Sequence, residues 1–281
     1  MRGAARRGLI ALALLGGTGS AAAAPIVADT ALPVAEEEII ARSQGILALA
    51  EDGSADRRTL VWANLVGYGI TSDWAVFAAV PLVFDRFEPT GGEAQKIEDV
   101  GDTVVFARWI AVAVNRPGQL FRIAPFAGVE LPTGGSGAGS GAVDGILGIT
   151  STYLVNAFEL DLSARYQRNA EDGGTGIDPG DTLNVDASLQ VRVWPRVLGP
   201  GAPGFVYAVT ELNYIHADEA RIEGASLAGS GRSTLFLTPG IQYVTQAYTL
   251  EAAVQIPVAR GGDDFRPRDD LVFRIGASHN F

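Results

Sequence analysis

The feature that most restricts what this chain can become is a period-two alternation of apolar and polar side chains, repeated in segments about as long as a barrel strand. In Phe158 to Gln167, Phe158, Leu160, Leu162, Ala164 and Tyr166 alternate with Glu159, Asp161, Ser163, Arg165 and Gln167. Leu183 to Trp194 and Thr249 to Val258 repeat the pattern, and Leu271 to Phe281 closes the sequence with Leu271, Phe273, Ile275 and Ala277 on one face. Successive side chains of a strand point to opposite faces, so each segment has one greasy face and one that carries charge. Lipid on one side and a wet lumen on the other satisfy both, which points to a transmembrane antiparallel β-barrel, an all-β fold.

The connections argue the same way. The remaining candidate strands are Ser43 to Ala50, Arg58 to Tyr68, Asp73 to Phe84, Asp102 to Val114, Leu120 to Leu131, Val143 to Val155, Gly204 to Ile215 and Ser233 to Thr245, about twelve in all. Tight turns at Gly69 to Ser72, Asn115 to Gln119, Asn156 to Ala157 and Gln246 to Ala247 alternate with polar loops at 51–57, 85–99, 132–142, 169–181, 217–232 and 260–270. Bacterial barrels have short periplasmic turns and long extracellular loops on an even number of strands. A longer Pro/Gly-rich periplasmic connection, Pro195 to Pro203, is the exception. A soluble β-sandwich would also alternate, but its core face calls for large side chains. Here the apolar face includes Ala164, Ala187, Ala252 and Ala277.

Residues 1–24 read as a secretory signal, with Arg2, Arg6 and Arg7 before the apolar stretch Leu9 to Leu15 and small residues from Ala21 to Ala24, cleaved near Ala23. Removing the three arginines moves the formal charge from -11 to -14, which makes nucleic acid an unfavourable partner. Residues 25–42, including Glu36 to Glu38, read as a disordered periplasmic leader, with a segment tucked into the lumen as the alternative. The barrel is then 43–281, in the outer membrane of a Gram-negative bacterium.

Little in the sequence points to catalysis. The histidines, His216 and His279, both fall near strand ends, no serine lies in a G-x-S-x-G setting, and the chain has no cysteine. Two distant histidines make a poor metal site, and no cofactor is expected. Gly137, Gly139 and Ala142 match a loose dinucleotide pattern, but a strand follows them where a helix is needed, so Gly134 to Gly141 reads as a mobile loop. The other long loops hold 19 of the 32 acids, with Asp263, Asp264, Asp269 and Asp270 the densest group. They read as a solvated negative surface, or as oxygen ligands for divalent cations that bridge to lipopolysaccharide.

The alternation points a set of ionisable residues inward: Arg108, Arg122, Glu130, Glu159, Asp161, Arg165, Asp186, Arg192, Glu211, Glu251 and Arg274. Of these, Glu130, Asp161, Arg165, Asp186, Arg192, Glu211, Glu251 and Arg274 are the lumen-lining candidates, with Arg274 directed towards Glu251 on the preceding strand. Such groups must be paired or solvated. Paired they fill the lumen, and solvated they tune a passage; the sequence leaves both open.

Several stretches resemble a known family. Tyr68-Gly69-Ile70-Thr71-Ser72-Asp73 runs into Val80-Pro81-Leu82, followed by Gly101-Asp102-Thr103, Val129-Glu130-Leu131-Pro132-Thr133-Gly134, Pro239-Gly240-Ile241-Gln242-Tyr243 and Val254-Gln255-Ile256-Pro257-Val258. In order and spacing these are similar to the outer-membrane family labelled putative MetA pathway of phenol degradation, from about Ser43 to Phe281. The resemblance implies a transporter-like barrel associated with uptake of aromatic or other hydrophobic compounds, and it brings no catalytic residues. The expectation is a monomeric, non-enzymatic barrel passing small hydrophobic or aromatic solutes, with a plugged structural or adhesion barrel as the alternative. Its expected partners are outer-membrane lipid, lipopolysaccharide and the barrel-assembly machinery, for which Phe281 is the C-terminal assembly signal.

Overall fold

The computed structural model describes residues 24–51, 55–135, 138–195, 203–262 and 269–281. The signal segment with its cleavage position, most of the connection from Pro195 to Pro203, and the acids Asp263 and Asp264 lie outside the described residues. No helix among those described is long and apolar enough to cross a membrane. The chain crosses with strands instead.

In chain order the strands are β1 (Ile39–Glu51), β2 (Ala55–Gly69), β3 (Trp74–Pro89), β4 (Gln95–Val100), β5 (Thr103–Trp109), β6 (Val112–Arg116), β7 (Gln119–Leu131), β8 (Asp144–Val155), β9 (Phe158–Arg168), β10 (Ile177–Asp178), β11 (Thr182–Trp194), β12 (Phe205–Ala217), β13 (Arg221–Ile222), β14 (Ala225–Ser226), β15 (Arg232–Val244), β16 (Tyr248–Gly261) and β17 (Asp269–Asn280). Each long strand pairs antiparallel with its sequence neighbour, and β17 returns to β1 with Ile40 opposite Asn280 and Leu49 opposite Leu271. Since β4, β5 and β6 run as one interrupted stave, the result is a closed barrel of twelve staves. Closure leaves no long edge and pairs the backbone within the wall, which is what a strand needs in lipid.

The alternation sets the faces. Leu162 and Leu189 are 49% and 43% exposed on the outer wall, whereas their neighbours Asp161 and Gln190 are fully buried inside. On β3 the outward residues from Trp74 to Phe84 form an unbroken apolar run, enough to cross a hydrocarbon layer at barrel tilt. Trp74, Trp109, Tyr153, Phe158, Trp194 and Tyr248 are exposed near the short-turn end, as in an interfacial aromatic girdle.

The interrupted stave departs from the uniform strand expected at Asp102 to Val114. Between Arg108 opposite Phe126 and Val112 opposite Ile123, three residues face two. One of the two is Pro125, which has no N–H to give to the ladder, so the partner bulges there. The bulge turns Ile110 inward, where it is buried with Ala31 and Ala124. A second break at Gly101 and Asp102 lies opposite Pro81, whose carbonyl accepts from Gly101 N at 2.9 Å.

Two loop expectations are corrected. Most of 85–99 is hairpin, with Phe87 opposite Gln95 and Leu82 opposite Val100. The described part of Gly134 to Gly141 is anchored rather than mobile: the buried Asp102 carboxylate accepts from Gly134 N at 2.7 Å and from Ser140 N at 2.5 Å. Above the barrel, the two loops flanking β11 and β12 pair with each other through β10, β13 and β14, with Ile177 opposite Ile222.

Candidate functional site in the lumen

The largest correction concerns the N-terminal segment. Residues 25–42 are not a disordered leader, because β1 already begins at Ile39 and the residues before it thread back into the barrel. They enter at the short-turn rim, where Glu37 N donates to Gly69 O at 2.9 Å. From there the chain crosses the lumen with Ile26, Ala28 and Ala31 almost fully buried. An open lumen would leave polar wall groups to water. Here the backbone of the segment meets them.

Recognition of this plug is nearly all backbone. The Glu211 carboxylate accepts from Ile26 N at 2.6 Å, Val27 N at 3.1 Å and Ala28 N at 3.1 Å. Asp29 N donates to Ser163 Oγ, and Ala31 N donates to Thr152 Oγ1 at 2.8 Å. The carbonyls are met by cations and amides. Arg42 donates to Ile26 O at 2.9 Å, Gln44 to the same oxygen at 3.1 Å, Gln242 to Ala24 O and Thr150 to Asp29 O. Arg108 reaches Thr30 O at 2.5 Å and Leu32 O at 2.7 Å. Two side chains are read as well: Thr30 Oγ1 hydrogen-bonds Thr152 Oγ1 at 3.0 Å, and Ile26 fills a pocket of Phe205, Tyr207, Val209 and Val244. Burying such a side chain is worth about 1.5–3 kcal/mol.

The sequence-selected residues fall into three groups. Glu211 holds the plug directly. Asp161 holds it through Thr152, which donates to it, and Gln190 supports Asp161 at 3.1 Å. Glu251 binds Arg42 at 2.7 Å and also accepts from Gln44 and Gln242, so it orients three side chains that grip the segment. Asp186 accepts from Ser163 at 3.2 Å and from Asn213 at 3.0 Å. A second group stands apart from the plug: Glu130 accepts from Gln167 at 3.0 Å with Arg165 in electrostatic reach, and Arg192 lies 5.5 Å over the Phe205 ring. The third is Arg274, whose expected partner Glu251 is taken by Arg42. Arg274 donates instead to Gln255 at 2.7 Å and Gln44 at 2.8 Å, because the β1 pairing brings Gln44 beside it.

A second wall of the lumen was missed. Phe77 stacks on Phe106 with centroids 4.7 Å apart, and Phe106 leans on Phe126 at 5.9 Å. Each phenylalanine has a cross-strand glycine in register: Gly67 beside Phe77, Gly128 beside Phe106, Gly148 beside Phe126. A Cβ at Gly67 or Gly148 would overlap the Phe77 or Phe126 ring, and one at Gly128 would overlap Val105 O and the Phe106 Cβ, so glycine is what lets these strands and rings pack so closely. Arg108 caps the cluster, its guanidinium 4.8 Å over the Phe77 ring. The lumen therefore has an acidic, amide-rich side on β9, β11 and β12 and an aromatic side on β3, β5 and β7. Arg42 was missed because it fell within the expected leader. The phenylalanines were missed because both faces of β3 and β5 are largely apolar.

Outside the membrane region two acids organise the long loops. Asp172 is held below the usual carboxylate range by Thr175 Oγ1 and by Gly174 N, and Glu219 is lowered likewise by Ser226 Oγ and Gly229 N. His216 sits at the outer end of β12, 3.2 Å from Asp218, and the ring of His279 packs on Phe281 at 4.4 Å. Among the described residues no group of three or more His, Cys, Asp or Glu side chains is arranged to hold a metal.

Residues 54–260 match the model of the family described as "Putative MetA-pathway of phenol degradation". The chain belongs to that family. No curated protein matches the sequence. Among solved structures, the COG4313 outer membrane channel from Pseudomonas putida F1 superposes with a TM-score of 0.66 at 15% identity, over 89% of this chain and 97% of that one. The β domain of the Bordetella autotransporter BrkA is similar at a TM-score of 0.51 and 12% identity, over 87% of this chain and 99% of that one. At such identities the likeness is one of fold, and the fold of this family member is that of the outer-membrane β-barrels.

Proposed function

We propose that this family member is a non-enzymatic outer-membrane channel of a Gram-negative bacterium, through which small hydrophobic or aromatic solutes move passively. The observation that carries this reading is the aromatic cluster of Phe77, Phe106 and Phe126 on the inner face. A purely aqueous pore has no use for three phenylalanines on its inner face, since any of that area opened to water would be disfavoured. The family's association with phenol degradation and the channel from Pseudomonas putida support the same reading. The exposed belt then sits in outer-membrane lipid, the acidic loops face lipopolysaccharide, and Phe281 serves the barrel-assembly machinery.

A second reading has its own observation. The segment 24–34 crosses the lumen on hydrogen bonds to Glu211, Thr152, Arg42 and Arg108, as a permanently plugged structural barrel would require. Uptake separates the two. Cells with and without the gene, supplied with aromatic acids, phenols and alkanes, should differ for the aromatic members. Equal uptake of every member would sink the channel reading and favour the plugged one.

A further inference from the structure

On the aromatic wall, Arg108 turns both terminal nitrogens of its guanidinium to the plug. Both donors end on carbonyl oxygens of the segment, Thr30 O and Leu32 O, and Asp29 of the same segment supplies an opposing charge. Two oxygens held by one planar guanidinium is also the arrangement of a bound carboxylate. Directly behind lie the Phe77 ring, 4.8 Å away, and the Phe106 ring stacked on it. In the wall register Arg108 stands between Ala75 on β3 and Phe126 on β7, and Phe126 stands opposite Gly148. Of the inward carboxylates described above, Glu130 lies on β7, four residues beyond Phe126, and the rest belong to β9, β11, β12 and β16. On the same strand a second buried cation, Arg122, stands four residues to the other side of Phe126.

From this we infer that Arg108 with Phe77, Phe106 and Phe126 forms a binding site for aromatic carboxylates, and that residues 29–32 occupy it in their absence. The carbonyls of Thr30 and Leu32 stand where the two carboxylate oxygens of a benzoate-like anion would lie, and its ring would lie on the phenylalanine face. Solute and plug then compete for one guanidinium. Binding the solute costs the plug two hydrogen bonds, so the solute shifts the segment towards release by as much as it prefers the vacated site. This deepens the channel reading of the same lumen and rests on it.

The test uses the full-length protein with benzoate and benzyl alcohol as probes. Wild type should bind benzoate at least tenfold more tightly than the alcohol, and Arg108→Gln should erase that preference. Benzoate should also speed amide hydrogen exchange at residues 26–31 in wild type but not in the variant. Because Arg108→Gln frees the two carbonyls as well, its resting conductance in a planar bilayer should rise while its benzoate affinity falls, two opposite shifts that misfolding does not give. A benzoate preference that survives Arg108→Gln, or benzoate binding that leaves the exchange unchanged, overturns the inference. Flux of neutral aromatics into phospholipid vesicles that hold the wild-type protein keeps the two readings apart. If they cross and benzoate is not preferred, the site assignment alone fails; if none cross, the channel reading fails.

Discussion

Glycine at residue 148 fixes where the Phe126 ring can lie. The Phe126 ring lies in the space that a Cβ on Gly148 would need, and it is in register across the β7–β8 ladder. Gly148→Val therefore has to swing that ring off the wall. Overpacking of this kind costs about 1–3 kcal/mol, which a shift in the urea midpoint of the variant refolded in vesicles would measure. The displaced ring also narrows the passage, so flux of a neutral aromatic should fall by more than flux of a small ion. An unchanged midpoint would mean that the wall yields more easily than its register implies. The alternation of Phe158 to Gln167 made Asp161 legible as an inward residue, because only one face of that segment carries charge. It could not do the same for Phe77, whose strand alternates aliphatic with aliphatic and so offers no polar face to fix its phase.

At the scale of elements, the plug is the piece whose place the sequence left open. Pro25 to Val34 is too short and too irregular to show a period, and most of its buried hydrogen bonds are made by backbone atoms that every residue possesses. What could be read was the receptor rather than the ligand: Glu211, Asp161 and Glu251 were visible as costly inward charges before their partner was. Removing the partner should then expose them to water. A chain lacking residues 24–34 keeps every wall hydrogen bond between β1 and β17, so it should still close, and its single-channel conductance should exceed that of the full chain several-fold. Because the chain has no cysteine, the converse variant is clean. Ile26→Cys with Val209→Cys joins two residues of one packed cluster, and oxidation should lower conductance while reduction restores it. Equal currents in the oxidised, reduced and truncated proteins would mean that the segment does not control the passage.

For the whole molecule, the deciding property is that two solvents of opposite character touch one wall a single side chain thick. The sequence made this legible because every closing pair obeys the same phase: Leu162 lies opposite Ala187, and its neighbour Asp161 lies opposite Ser188. What it could not reveal were the two breaks in the stave of β4, β5 and β6, since they follow from Pro81 and Pro125 on the neighbouring strands rather than from the stave itself. The phase predicts a depth-dependent penalty. Leu162 is the fifth residue of the eleven in β9 and faces outward at mid-wall. An arginine there should cost about 2–4 kcal/mol, and one at Phe158, in the girdle at the start of the same strand, about 0–1 kcal/mol. Reversible urea unfolding of the two variants in phospholipid vesicles measures the difference. Arg192, already on the inner face of β11 beside Phe205, shows how the same side chain is accommodated when it points the other way. Equal costs at 158 and 162 would contradict a lipid-facing belt. A larger cost at 158 would place the hydrocarbon layer nearer the short turns than the girdle of Trp74, Trp109 and Tyr153 implies.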